Sequence, residues 1–213
     1  MATPKPQIKS TFATPSCIHF LPVANEVNVD LRTLATQRFA VATGATGGEG
    51  WRSENDLESW GGNAAQTLFR VLRELADGMT ANRAGGRVSL DWKITACAVV
   101  RQKGEYGAMA PRPGGFWSGV YFIDDGYNKS DDAALGGEVV LADPRGALPA
   151  MIAPQLAFRV PGGASAGQTE TIRPSSGMIV LHPSWQPRGE RRYDGEGQRI
   201  TIEFDLLPPA AAE

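Results

Sequence analysis

The stretch whose reading decides the fold is GMIVLHPSWQPRGERRYDGEGQRITIEFD, residues 177–205. Its last seven residues alternate strictly. Ile200, Ile202 and Phe204 fall on one face of an extended strand, and Arg199, Thr201 and Glu203 on the other. One face suits an apolar core; the other lines something polar. The run GMIVLHP before it is a second strand, apolar up to His182 at its end and stopped at Pro183. Working outward, VSLDWKITACAVVR, WSGVYFID, GEVVLAD and QTETIR are equally short, rich in β-formers and bounded by Gly, Pro or Asp.

Two helices precede these strands. Asp30 is placed to cap LRTLATQRF, in which Leu31, Leu34 and Arg38 follow helical spacing. Asn63, with Gln66 three residues on, is placed to cap a stronger one, whose Leu68, Val71, Leu72, Leu75 and Met79 form one apolar stripe ending at Ala84-Gly85-Gly86. Between them, TGATGGEGWRSENDLESWGG reads as a long loop, and loops of that length are often functional. Many short strands after two helices predict a mainly β fold, a sandwich or barrel with helices packed on one side.

With 213 residues, 42% of them hydrophobic and 21% charged, the chain has the means to bury one core. We expect a flexible segment over 1–17, a single domain over 18–207 and a flexible tail over 208–213. A net charge of −2 gives no reason to expect a nucleic-acid partner. No apolar run approaches a membrane span or a secretory leader, which predicts a cytoplasmic protein. Cys17 and Cys97 are too few and too far apart for a disulfide frame or zinc cage, and Cys97 in TACAVV reads as a buried small hydrophobe.

The order and spacing of SGVYF, ADPRG, HPSW and GEGQRITIEFD resemble the bacterial 2OG-Fe(II) oxygenase family from about Ile18 to Asp205, with GWRS and Trp92 as further matches. The resemblance implies a double-stranded β-helix, a jelly-roll, cupin-like barrel with an open end where ligands bind. It also implies iron ligands from a His-x-His-Pro run before SGVY and from a histidine after PSW. Here those positions read Ala110, Arg112 and Arg188. Alanine has no ligating atom, and guanidinium has no lone pair to give. Fe(II) is therefore not expected. The family's Arg-x-Ser/Thr grip on the distal carboxylate of 2-oxoglutarate matches Arg199 and Thr201. Tyr106 matches a position that commonly lines the cofactor site.

The expected ligand is then a small anion, 2-oxoglutarate or a similar carboxylate, held by Arg199, Thr201, Arg112, Arg188 and Tyr106. Two buried arginines need counter-charges, and Glu190, Asp194 and Glu196 are near in sequence; otherwise both arginines are solvated loop residues. His19 and His182 are the only histidines. His182 is either a strand-end residue bonded locally or a catalytic acid or base. Two rival readings stay open. One is an active enzyme, either an oxygenase drawing on His182 with Asp124 or Asp143 or a metal-independent catalyst using His182. The other is an interaction module binding a protein or peptide through the Trp51 loop and YNKSDDAAL, residues 127–135. A homodimer is compatible with either. Trp51, Trp92 and Trp185 read as core anchors, whereas Trp117 beside Gly114-Gly115 could stand at a pocket mouth.

Overall fold

The structure is a computed structural model that describes residues 7–9, 11–42, 48–146, 151–161, 163–165 and 167–210. The expected flexible ends fall partly on residues 1–6, 10 and 211–213, outside the described residues. The elements run β1 (Cys17–Phe20), α1 (Ala24–Val41), β2 (Trp51–Arg52), α2 (Leu57–Trp60), α3 (Gly62–Met79), β3 (Lys93–Arg101), β4 (Gly107–Ala110) and β5 (Trp117–Asp124). They continue with a 3-10 turn (Ala133–Leu135), β6 (Val139–Ala142), β7 (Phe158–Val160), β8 (Gly163–Ser165), β9 (Thr169–Ile172), β10 (Met178–Pro183), β11 (Arg188–Glu190) and β12 (Arg199–Leu207).

Two antiparallel sheets make the jelly roll. The larger has the order β1-β10-β5-β12-β3-β2 and the smaller β4-β11-β6-β9. The sheets pack face to face through Val120, Phe122 and Val180 of the larger against Val139, Leu141 and Ile172 of the smaller. The outer face of the larger sheet carries the helices. Leu31, Leu68, Phe69 and Leu72 pack there against the strands' Ile200, Ile202 and Phe204. Each such fully buried side chain contributes roughly 2 kcal/mol. Strand β12 lies between β5 and β3, so its alternation separates two interiors. Its even-numbered residues face the helices, and Arg199, Thr201 and Glu203 face the other sheet. Gly119 on β5 leaves the space that the Phe204 ring fills; a Cβ there would strike that ring and the Val180 carbonyl.

Helix α1 starts at Ala24, and Asp30 sits inside it rather than capping it. The buried stripe begins earlier, at Val27, and continues through Leu31 and Ala35, so packing sets the start and overrides the local cap signal. Likewise α3 is entered from Gly61, with Asn63 in its first turn, and it ends at Met79. Asn82 Oδ1 instead accepts from the backbone N–H of Ala84 and Gly86, closing a turn where the sequence predicted the helix end. The first strand starts at Cys17, and the strand predicted from Val88 begins at Lys93. Trp92 is a core anchor as expected, at 1% exposed, but Trp185 is 53% exposed. Trp117, which could stand at a pocket mouth by sequence, is largely buried but lines a second cavity with Phe116 and Trp185, and its Nε1 donates to Thr80 Oγ1 at 2.9 Å.

Candidate functional site

Strands β3 and β12 of one sheet and β4 and β11 of the other enclose a cavity of about 360 Å³, with Arg52, Arg101, Arg112, Arg188, Glu190 and Glu203 in its wall. Ala110 also lines it and stands directly opposite Arg188 in the β4–β11 ladder. Arg112 is held nearby by its backbone N–H, which donates to the Ser184 carbonyl at 2.8 Å. The fold thus brings together all three positions where the resemblance expects iron ligands.

What lines this space is a knot of ion pairs. Glu203 Oε1 meets Arg101 Nη2 at 3.3 Å and Arg188 Nη2 at 3.2 Å. Glu203 Oε2 is bound by Arg52 and Arg112. Glu190 lies beneath, with Oε1 at 3.0 Å from Arg188 Nη1 and Oε2 at 3.1 Å from Arg101 Nη1. Arg101, Arg188, Glu190 and Glu203 are at most 5% exposed, and they form a balanced pair of pairs. Taking four charges out of water is costly, and mutual attraction with hydrogen bonds on both oxygens of each carboxylate offsets it. Gly107 passes close to the Arg101 guanidinium, and a Cβ there would lie 3.2 Å from it and from Glu190 Cβ.

The lining counts four arginines against Glu49, Glu190, Glu203 and Asp205. The asymmetry is one of access. The carboxylates of Glu190 and Glu203 are 1% exposed, whereas Arg52 and Arg112 show 41% and 28% of their side chains to solvent. Asp205 is engaged by Ser118 Oγ, which donates to it at 2.5 Å. A solute entering the mouth therefore meets the guanidinium groups of Arg52 and Arg112 before the carboxylates of Glu190 and Glu203, although Glu49 on the exposed rim and the half-buried Asp205 also border it. Burial, against the pull of Glu190 and with the push of Arg112, Arg101 and Arg52, brings the Arg188 pKa down to about 10, which leaves it charged at neutral pH. Burial and the neighbouring Arg52 also lower that of Arg112. Burial pushes the Glu190 carboxyl up, but Arg101, Arg188 and Arg199 outweigh it and hold it below its ordinary value.

Arg199 and Thr201 share the inward face of β12 but do not form the cavity wall. Arg199 is fully buried; Nε donates to the Asp125 carbonyl at 3.1 Å, Nη1 donates to the Gly137 carbonyl, and the rings of Tyr193 and Tyr127 lie 4.7 and 5.0 Å from its Cζ. Its Nη2 and the Thr201 hydroxyl are buried without partners. Two unspent donors two residues apart suit a carboxylate or an ordered water. Tyr106 lies outside, 45% exposed, with its carbonyl accepting from Arg101 Nε at 3.1 Å.

His182 is fully buried. Its Nδ1 is 2.9 Å from the Pro183 carbonyl, which can only accept, so Nδ1 carries the proton and Nε2 keeps a lone pair without a partner. Burial and then Arg188 lower its pKa to about 4, so the ring is neutral at pH 7 and a weak base. Asp124 and Asp143, its suggested co-ligands, pair instead with Arg32 and Arg145. Among the described residues no three His, Cys, Asp or Glu side chains group so as to hold a metal ion. With two guanidiniums at the expected ligand positions and both buried carboxylates already engaged, the residues present do not fit an iron centre.

The solvated-loop alternative for the arginines fails for Arg188, which is 5% exposed on β11. Of the counter-charges suggested by sequence, Glu190 is correct. Asp194 and Glu196 instead pair at the surface with Arg192 and Lys103. Sequence reasoning missed Arg52, Arg101 and the central role of Glu203. The alternation of β12 had placed Glu203 on the correct face, and that was the available signal. Cys97 is buried as expected, yet its Sγ lies 2.7 Å from Arg52 Nη1.

A family model described as "Putative 2OG-Fe(II) oxygenase" matches residues 96–205, just over half of the chain. The chain has no sequence match among curated proteins. Its fold is similar to that of a prolyl-4-hydroxylase from Pseudomonas putida, at TM-score 0.58 and 13% identity over 92% of this chain and 88% of the other. A prolyl hydroxylase from Trichoplax adhaerens, in complex with a hypoxia inducible factor peptide fragment, matches at TM-score 0.62 and 11% identity over 91% and 83%. HygX from Streptomyces hygroscopicus, with nickel and 2-oxoglutarate bound, matches at TM-score 0.56 and 13% identity over 92% and 84%. At such identities these likenesses speak for the fold alone.

Proposed function

The chain belongs to the 2OG-Fe(II) oxygenase family, and from that premise we propose that it is a degenerate, cytoplasmic member that binds a small carboxylate or similar anion without iron and 2-oxoglutarate chemistry. The observation that carries this reading is the convergence of Arg112 and Arg188, at two expected ligand positions, on one carboxylate, that of Glu203. A site that already grips a carboxylate with four guanidinium groups has the donor geometry for another. The solvent-facing parts of Arg52 and Arg112 attract the anion. Arg101 and Arg188, balanced by Glu190 and Glu203, form the charged floor below. Thr201 Oγ1 and Arg199 Nη2, buried without partners, are the donors available to a ligand that reaches deeper.

Calorimetric titration with succinate and with 2-oxoglutarate tests the binding, and an anaerobic Fe(II) titration with 2-oxoglutarate tests the loss of chemistry. We expect saturable anion binding weakened at least tenfold by Arg112→Ala, and no visible charge-transfer band. Succinate release coupled to hydroxylation of any substrate would overturn the reading.

A further inference from the structure

Glu203 uses its two oxygens differently. Oε1 is bound by Arg101 and Arg188, which are 4% and 5% exposed, and Oε2 by Arg52 and Arg112, which are 41% and 28% exposed. The outer pair therefore closes on a carboxylate oxygen at the cavity mouth while the inner pair anchors the same residue from below. Resting on the anion-binding reading above, we infer that Glu203 is an internal competitor: its Oε2 occupies the subsite formed by Arg52 and Arg112, and a ligand carboxylate binds by taking its place there. Arg52 then becomes a ligand-contacting residue, and Glu203 sets the threshold that a ligand must exceed.

The physical case rests on what each group keeps when a ligand enters. If Oε2 gives up Arg52 and Arg112, Oε1 retains Arg101 and Arg188, and Glu190 still holds both inner arginines, so no buried charge is left alone. The outer guanidiniums are partly solvated and lose little by exchanging one carboxylate for another. A weakly held monocarboxylate competes poorly against a tethered one, whose effective concentration is high. A dicarboxylate has a second charge to offer the remaining N–H groups. The internal carboxylate thus selects for dianions.

The test is titration of the full chain with acetate and with succinate, read by calorimetry and by thermal shift, in wild type, Glu203→Gln, Glu203→Asp and Arg52→Ala. Glu203→Gln is expected to bind both probes about tenfold or more tightly than wild type and to gain more thermal stability from them. Glu203→Asp, which keeps the charge but draws the whole carboxylate back by one methylene, is expected to hold Arg52 and Arg112 less closely and to fall between, and it carries the test if Glu203→Gln does not fold. Arg52→Ala is expected to weaken succinate at least tenfold. Wild type that binds succinate while the Glu203 variants bind no tighter overturns the inference and leaves the anion-binding reading standing. Variants that bind where wild type does not support the inference and overturn that reading; no binding in any protein overturns both.

Discussion

Arg101 and Arg199 face each other directly across the β3–β12 ladder. Like charges in opposed positions repel, and here neither side chain can turn to water, since that of Arg101 is 4% and that of Arg199 0% exposed. Glu190 resolves the conflict from the opposite sheet: its Oε2 lies 3.1 Å from Arg101 Nη1 and 3.9 Å from Arg199 Nη1. The carboxylate of β11 thus ties the two sheets together at the point where one sheet alone would be strained.

Glu190→Gln keeps the shape and removes that charge, leaving Arg101, Arg188 and Arg199 with less compensation. A loss of about 3–5 kcal/mol is expected, the range for breaking a buried ion pair on one side. Urea unfolding of the two proteins at pH 7 and 25 °C measures it. A loss below about 1 kcal/mol would mean that water reaches these groups and that Glu190 is not what reconciles them.

The pH dependence of stability has a predictable window. In the folded chain His182 titrates at about 4 instead of the ordinary 6.5. Above pH 6.5 the ring is neutral whether the chain is folded or not. As pH falls from 6.5 towards 4, the unfolded chain takes up a proton that the native state refuses, so stability is lost across that interval, by about 3 kcal/mol in full. The depressed Glu190 carboxyl acts in the same direction, but below its ordinary 4.5. His182→Phe is therefore expected to flatten the fall between pH 6.5 and 4.5 and to leave the more acid loss in place. Equal slopes for both proteins in urea unfolding at pH 7, 6 and 5 would count against a buried neutral imidazole.

How much of this was legible in the sequence depends on the length of the pattern. Nine residues of β12 suffice for alternation to put Arg199, Thr201 and Glu203 on one inward face. Three residues of β11 do not, so RGE carried no strand signal and Arg188 was as readable as a solvated loop residue as a buried one. Position along one strand also says nothing about what the opposite sheet presents: the partners of Glu203 come from β2, β3, β11 and the turn after β4. The helix caps misled for a related reason. Asp30 has a capping side chain, but Val27 has a core to reach, and burial decided where α1 begins.

Gly137 reports how tightly Arg199 is held. Its φ is +75°, a conformation that L side chains rarely adopt, and a Cβ there would run into the Arg199 guanidinium. Gly137→Ala must strain the turn and push Arg199 off its carbonyl partners and out of the Tyr127 and Tyr193 rings. A loss of roughly 2–4 kcal/mol is expected from strain and the disturbed guanidinium together. Near-neutral behaviour in thermal unfolding would show that Arg199 has room to move.

The last prediction reverses the substitutions at the cavity. Ala110 and Arg188 are directly opposed across β4 and β11, where side chains start about 5 Å apart, and Arg112 enters the same cavity. Three imidazoles at these positions would line one cavity, where the resemblance expects the ligands of a single metal ion. Removing Arg112 and Arg188 leaves the buried Arg101 and Arg199 against the buried Glu190 and Glu203, with Arg52 partly in solvent, so the buried charges balance and the fold has no electrostatic reason to fail. The variant carrying Ala110→His, Arg112→His and Arg188→His is expected to take up one Ni(II) or Fe(II) per chain under anaerobic conditions, with weaker uptake as pH falls below the imidazole range. Wild type is expected to take up none. Calorimetric titration of the folded variant and of wild type decides it: a variant that ignores the metal would mean that something other than these three side chains closed the site, and metal uptake by wild type would undo the argument from guanidinium chemistry.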